Sequence, residues 1–257
     1  MKTLIDRPVP QWLNKVPAVT LGFWIIKILS TTVGETVSDY LAVDAGFGAL
    51  ASGIVMASLL AVALFLQLRK DRFVPWLYWT TVVLVSIVGT QITDALTDGL
   101  GVSLYLSTGV FAIALAGIFA LWYAIERTLS IHTIFTPRRE VFYWTAILCT
   151  FALGTASGDL ATEALGMGFQ LGVVAFSVLI ALTFAAYKFG ANSVLTFWIG
   201  YILTRPLGAS LGDLLSQAKT YGGLGFGAEY TSALFLTAIV CLVLVAHQRV
   251  RHQHAIT

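Results

Sequence analysis

Charge is what this sequence has least of. Only 11% of its 257 residues are Asp, Glu, Lys or Arg, while 58% are hydrophobic; an ordinary soluble domain carries about 25% charge. Too little polar surface is available to face water, which excludes a soluble globule, and no nucleic-acid partner is expected. Cysteine is nearly absent as well. Cys149 and Cys241 are the only two, and both lie in apolar runs, so neither a disulfide framework nor a Cys/His zinc motif is on offer. The opening residues 1–19 lack an apolar h-region and carry Pro8, Pro10 and Pro17 between charges, which reads as a short arm and not as a cleavable leader.

What the sequence has instead is long runs without any charge. Gly99 to Ile125, Ala164 to Tyr187 and Tyr230 to Ala246 each approach or exceed the ~20 residues that cross ~30 Å of hydrocarbon as a helix. The expected fold is all-α and polytopic, with spans at Val19–Val43, Gly46–Leu68, Leu77–Asp98, Ser103–Ile125, Val141–Glu163, Gly168–Tyr187, Ser193–Gln217 and Tyr230–His247.

An internal repeat orders these spans. Tyr78-Trp79 is followed ten residues after the tryptophan by Gly89 and fifteen after it by Asp94. The same intervals join Phe23-Trp24, Gly34 and Asp39; Tyr143-Trp144, Gly154 and Asp159; and Phe197-Trp198, Gly208 and Asp213. Each repeat holds two spans, so the expected architecture is eight transmembrane helices arranged as four tandem parallel hairpins. The transmembrane domain covers 19–247, with repeats at about 19–68, 77–126, 141–188 and 193–247. An N-terminal arm (1–18), a connector between the halves (127–140) and a tail (248–257) complete it. The hairpin turns are glycine-rich, at Gly46-Phe47-Gly48, Gly99-Leu100-Gly101 and Gly166-Met167-Gly168, and the fourth is a longer loop, Ala218–Ala228.

Twelve Lys and Arg lie in the arm (Lys2, Arg7, Lys15), the links (Arg69, Lys70, Arg72, Arg127, Arg138, Arg139, Lys188) and the tail (Arg249, Arg251), against Lys219 alone on the other face. By the positive-inside rule both termini are expected in the cytoplasm. The four repeat tryptophans then sit at headgroup level as anchors, and the aspartates lie about 22 Å away, in the outer half. Tail residues His252 and His254 read as inert.

Helical spacing widens each aspartate into a polar stripe. Four residues before it stand Glu35, Thr90, Thr155 and Ala209; three before it stand Thr36, Gln91, Ala156 and Ser210. After it come Thr97 and Asp98, Thr162 and Glu163, and Ser216 and Gln217, while the first repeat has Ala42, Val43 and then Asp44. Three turns before each aspartate, Ile28, Val83, Leu148 and Ile202 make the stripe apolar toward the cytoplasm. Ionisable groups inside a bilayer cost roughly 2.5–3.5 kcal/mol near its centre, so the odd helices are expected to converge on one another. Gly34, Gly89, Gly154 and Gly208 would permit their close approach. The even helices, nearly free of charge, face lipid.

Seven acids (Glu35, Asp39, Asp94, Asp98, Asp159, Glu163, Asp213) confront two bases within the spans. Lys27, three residues after Trp24, is expected to snorkel to the interface. Arg205 shares the face of Asp213, beside Pro206, which is expected to interrupt the helix. It reads as a counter-ion, a gate or a structural partner of a carboxylate, and these stay open. The aspartates themselves can cap helices or fix packing; against that, two bases leave an excess of acid for protons or cations to neutralise.

Carboxylate, hydroxyl and amide oxygens suit hard cations such as manganese, magnesium or calcium. The leading expectation is therefore a transporter of a divalent metal, with protons as the candidate coupling ion. The ligands would be Asp39, Asp94, Asp159 and Asp213 within the seven-acid set, Thr90, Gln91, Thr155 and Gln217 would supply polar support, and Arg205 would be counter-ion or gate. A cation channel and a non-transporting scaffold are the alternatives. An enzyme is not expected, because the Tyr-Asp and Gly-x-Gly-Asp pair of intramembrane aspartyl proteases is missing: Ala156-Ser157-Gly158-Asp159 and Ser210-Leu211-Gly212-Asp213 lack the first glycine. No cofactor is expected. The partners are the bilayer and a small cation, with homo-oligomerisation left open.

Four tandem repeats, each with an aromatic-Trp pair and Gly-x-x-x-x-Asp, resemble the bacterial integral membrane proteins described as a tandem repeat of unknown function, with two membrane helices and a tryptophan per repeat. The resemblance covers Phe23 to about Ala246 and implies a multi-pass protein of the bacterial inner membrane. The departures are Arg205-Pro206, the long fourth turn, and Val43 where other repeats have Asp98 or Glu163. They imply that the four repeats are not equivalent.

Overall fold

The computed structural model describes residues 14–256, with the side chains of all but 43, 44 and 249–256. Expectations resting on Lys2, Arg7, Pro8, Pro10, the side chains of Val43 and Asp44, and the tail residues Arg249, Arg251, His252 and His254 lie outside the described residues. Eight α-helices follow in order: α1 (Leu21–Asp39), α2 (Ala49–Leu68), α3 (Pro75–Asp94), α4 (Leu104–Glu126), α5 (Pro137–Asp159), α6 (Gly168–Lys188), α7 (Ser193–Ser216) and α8 (Ala228–Ile256). There is no strand among the described residues. Seven of the helices are long and apolar enough to cross a membrane, the exception being α1, which carries Lys27, Glu35 and Asp39 within 19 residues. The chain is a multi-pass membrane protein.

The helices begin where local chemistry dictates. Thr20, Ser103, Thr136 and Asn192 accept hydrogen bonds from amides in the first turns of α1, α4, α5 and α7. Pro75 and Pro137 occupy the first turn of α3 and α5, where a missing N–H costs nothing. Helices α1, α3 and α5 end on the repeat aspartate itself. Each passes directly into a five-residue π-helical turn, Tyr40–Asp44, Ala95–Gly99 and Leu160–Ala164, before the glycine turn reverses the chain. Gly46 and Gly48 take φ of +70° and +75°, a backbone closed to most side chains. In the fourth repeat α7 runs on without a π turn. Its loop folds back instead, so that the amides of Leu224, Gly225, Phe226 and Gly227 cap the carbonyls of Leu214, Gln217, Leu215 and Ser216.

The four odd helices form a closed inner ring, α1 against α3, α3 against α5, α5 against α7 and α7 against α1. The even helices cover it, but not as simple hairpins. The main packing of α2 is on α3, of α4 on α5, of α6 on α7, and α8 closes the circle on α1. Each even helix therefore shields the next repeat's odd helix, so the repeats interlock around the circle. The outer faces of α2, α4, α6 and α8 present Leu59, Phe65, Ile113, Leu179, Leu182 and Leu244, as lipid-facing helices should.

The repeat glycines set the ring's spacing. A Cβ on Gly34 would strike Ser86, one on Gly89 would strike Phe151, one on Gly154 would strike Arg205, and one on Gly208 would strike Thr31. Ser86, Phe151, Arg205 and Thr31 each stand eight residues before the aspartate of their own repeat, so every glycine receives the same position of the next repeat around the circle. This is the close approach that small residues permit between membrane helices.

Two expectations need correction here. Trp79, Trp144 and Trp198 are buried, and Trp24 is partly so; they pack with Phe23, Tyr78, Tyr143, Phe197 and Tyr201 into an aromatic layer across the ring. Converging helices bring these rings inward, so they close the bundle where headgroup anchors had been expected. Pro206 does not interrupt α7, which stays helical from Ser193 to Ser216; the proline ring packs beside Gly154 and Gly158 of α5.

Replacing Gly89 with Ala should lower stability by about 1–3 kcal/mol through overpacking against Phe151. The control, Gly109→Ala, adds a methyl where nothing lies within 4 Å and should fall within about 0.5 kcal/mol of the parent. Thermal unfolding of both in one detergent reads the difference.

Candidate functional site

Because the ring is parallel and in register, equivalent residues meet in layers along its axis. The inward row runs through every fourth residue, the ridge by which helices commonly interlock. Sixteen residues before the aspartate lie Phe23, Tyr78, Tyr143 and Phe197; twelve before, Lys27, Val82, Ile147 and Tyr201; eight before, Thr31, Ser86, Phe151 and Arg205; four before, Glu35, Thr90, Thr155 and Ala209. All of these are buried. The straight-helix count had placed Ile28, Val83, Leu148 and Ile202 on this face. They are only partly buried, because the helices cross and the row drifts by one residue over three turns. The stripe is therefore not apolar toward the tryptophan end.

Arg205 is the hub of these layers. Its Nη2 donates to Glu35 Oε2 at 2.7 Å, to Thr155 Oγ1 at 2.8 Å and to Thr90 Oγ1, and its Nη1 donates to the Thr31 carbonyl at 3.3 Å. One side chain on α7 thereby touches α1, α3 and α5. The threonines suit the task. Thr90 and Thr155 give their hydroxyl hydrogens to the carbonyls of Ser86 and Phe151 on their own helices, each at 3.1 Å, leaving lone pairs free to accept from a guanidinium. The Arg205–Glu35 pair is almost wholly buried, at 1% and 8% side-chain exposure.

Above this layer the acids converge. Single carboxylate oxygens of Glu35, Asp39 and Asp213 lie within 4.8 Å of one another. An ion bound at ~2.0–2.6 Å per ligand places its ligand oxygens about 3–5 Å apart, so these three can share one. Asp94 lies in Coulombic reach of Glu35, Asp39 and Asp98, and Asp159 in reach of Glu35, Asp94 and Glu163. Asp213 feels Glu35, Asp39, Asp159 and Glu163. Ser38 donates to Asp94 Oδ2 and Gln217 donates to Asp39 Oδ2, each at 3.4 Å. Burial grades outward: Glu35 and Asp213 are buried, Asp39, Asp94 and Asp159 partly buried, and Asp98 and Glu163 exposed at the rim.

Most sequence-selected residues thus share one funnel, but not all in the expected roles. The polar support of Thr90 and Thr155 goes to Arg205, from whose Nη2 both accept. The Gln91 amide is buried and makes no hydrogen bond among the described residues. Its position, three before the aspartate, corresponds to Thr36, which accepts from Ser232 of α8 at 2.7 Å, and to Ser210, which packs at Gly172 of α6. In those two repeats the position faces the covering even helix.

Lys27 is the largest correction. It does not reach an interface: it is 1% exposed, and its Nζ sits 4.1 Å from the Phe151 ring centroid and 4.3 Å from that of Tyr201, with no hydrogen-bond acceptor among the described residues. The signal that would have found it is its register, twelve residues before Asp39 on the every-fourth-residue row.

At the tryptophan end the axis is shut. Tyr78 and Tyr143 share a hydroxyl hydrogen bond of 2.5 Å, and beyond them Lys15 and Glu140 form a buried ion pair of 2.7 Å that Gln67 also joins. The connector between the halves packs Ile131 and Ile134 into the core, and its Leu129 carbonyl accepts from Trp198 Nε1 at 2.9 Å.

A family model described as Repeat of Unknown Function (DUF347) matches the chain four times, at residues 22–73, 77–128, 142–191 and 196–252. The chain belongs to this four-repeat family. No curated protein and no solved structure matches it.

Removing Arg205 leaves Glu35 buried without a partner, a loss of about 3–5 kcal/mol for a broken buried pair. Arg205→Met should accordingly unfold at markedly lower temperature than the parent, and Arg205→Met with Glu35→Gln should recover part of that loss. Arg205→Met melting at the parental temperature would show that the pair carries no stability.

Proposed function

We propose that this member of the four-repeat family transports a hard divalent cation, such as manganese, magnesium or calcium, through the carboxylate funnel, with the tryptophan end in the cytoplasm. The observation that carries the reading is the juxtaposition of Glu35, Asp39 and Asp213 within 4.8 Å, from two helices of the ring. Oxygen-only ligands favour hard ions over copper or zinc. The exposed Asp98 and Glu163 would draw cations toward the mouth, and the partly buried Asp94 and Asp159 would strip water in stages.

Two features favour alternating access over a continuously open channel. Arg205 pairs with Glu35, so it would act as a tethered competitor that an arriving cation must displace. Below it, the aromatic layer closes the axis, so passage requires a second arrangement of the ring. The glycine contacts between adjacent odd helices are the surfaces on which such a rearrangement would slide. The assignment of the tryptophan end to the cytoplasm rests on the Lys and Arg count.

Asp213→Asn and Asp159→Asn in proteoliposomes should each reduce manganese uptake by tenfold or more, a transition-state or binding loss of about 1.4 kcal/mol. Asp98→Asn, at the exposed rim, should change it by less than about threefold. Flux unaltered in both Asp213 and Asp159 variants would exclude a transported cation at this cluster.

A further inference from the structure

We propose that a groove at the tryptophan end, walled by α1, α6, α7 and the connector, binds one anionic phospholipid, with its phosphate at Lys188 and His132 and the upper part of an acyl chain against Trp24. The groove is separate from the carboxylate funnel, and the proposal stands whether or not that funnel carries a cation.

The groove exists because the four-fold frame is broken here. Trp79, Trp144 and Trp198 are buried, whereas Trp24 is partly open. At Trp198 the covering helix α4 supplies Phe119 and Trp122, with ring centroids 4.9 Å and 5.9 Å away. Helix α6, which packs on α7, stands in the corresponding place beside Trp24. Its own aromatic pair, Phe184 and Tyr187, stays 59% and 48% exposed. These rings line an opening of about 590 Å³ that has Trp24 and Gly200 on another wall, a size within the ~300–1,000 Å³ of ligand pockets. Gly200 offers no side chain where the other repeats place Ile26, Thr81 and Ala146. The connector, the longest of the links between repeats, adds its Leu129–His132 stretch as a further wall.

The groove runs along the helices from headgroup level inward. Its lining extends from Tyr187 back to Ile180 on α6 and from Ser193 on to Gly200 on α7, about 10 Å along each. The outer end coincides with Lys188, the last residue of a membrane-spanning helix. Polar groups stand at that end, namely Thr20, Ser130, His132 and Ser193, while Ile180, Trp24 and Phe197 line the apolar part.

The mouth is built to donate. Lys188 Nζ is held 5.3 Å from the centroid of the Phe184 ring and pairs with no carboxylate among the described residues. Thr20 Oγ1 accepts from the Phe23 amide and Ser130 Oγ from the His132 amide, each at 3.3 Å, so both hydroxyls keep a hydrogen to give. The His132 side chain is exposed and offers a ring N–H. No Asp or Glu is among the lining residues. A cation with several neutral donors and no acid suits a phosphate, and basic pockets between membrane helices are where anionic headgroups bind. A free phosphate would leave Ile180, Trp24 and Phe197 uncovered, so the occupant is a lipid. It would bridge α1 and α7, the same two helices that the Arg205–Glu35 pair joins.

The full chain, purified in detergent, is mixed with equal amounts of dioleoyl phosphatidylglycerol and dioleoyl phosphatidylcholine, and retained lipid is read by native mass spectrometry. The parent should retain the anionic lipid at least fivefold more, and its melting temperature should rise with that lipid. Lys188→Gln should lower retention of the anionic lipid about fivefold, the worth of one cation at a membrane surface. Arg69→Gln, which removes a cation held in the same way over Phe65 at the end of α2, should stay within about twofold. Thr183→Trp, filling the groove from α6, should lose the lipid; should that variant not fold, the comparison of Lys188→Gln with Arg69→Gln still decides. Equal retention of the two lipids by the parent, none of either included, overturns the proposal. Equal losses in the Lys188 and Arg69 variants do so as well, since they would show general surface attraction. Lipid retained only after residues 2–13 are removed would make the chain's own arm the occupant, and that also overturns it.

Discussion

The structure depends on one guanidinium. Arg205 reaches from α7 to a carboxylate on α1 and to hydroxyls on α3 and α5, at a depth where water cannot substitute for any of them. Inside a bilayer an unpaired polar group is costly, and this one finds partners on three helices at once. The ring geometry follows from it: the helices must be parallel, in register and close enough for a single side chain to span them. The glycine of each repeat makes that closeness attainable, since each admits the side chain of the next repeat at the level of Arg205 itself.

A four-fold frame built from repeats would give four equal positions. The chain has broken that equality at each layer. Four before the aspartate, one acid stands among two threonines and an alanine. Eight before, one arginine stands among a threonine, a serine and a phenylalanine. Twelve before, one lysine stands with valine, isoleucine and tyrosine. Placing Glu35 on α1 and Arg205 on neighbouring α7 lets them pair directly, while Lys27, a further turn down and on α1, faces Phe151 and Tyr201 and gains no acid. The funnel at the aspartate end keeps its charge in near-four-fold form. Symmetry is retained among the four aspartates and lost in the layers below them.

Much of this was legible in the sequence, and the reasons are physical. The tryptophan–glycine–aspartate intervals gave the repeat, the absence of charge gave the membrane, and the cost of buried acids argued that Asp39, Asp94, Asp159 and Asp213 must converge. Other features were not legible. Helix crossing sets which residues face inward beyond the first turns, so counting along a straight helix chose Ile28 and Val83 and passed over Lys27 and Val82. The π turns after Asp39, Asp94 and Asp159 have no diagnostic residue pattern, and neither has the packing of each even helix on the next repeat. Burial of Trp79, Trp144 and Trp198 follows from tertiary convergence, which composition cannot report.

If the carboxylates of α1 and α7 hold a hard cation in competition with Arg205, as proposed, crystals grown with manganese and measured at its absorption edge will show an anomalous peak bounded by Glu35, Asp39 and Asp213, with the Arg205 guanidinium withdrawn from Glu35. A peak confined to the exposed Asp98 and Glu163, or none at all with the Arg205–Glu35 bond intact at saturating manganese, would contradict it.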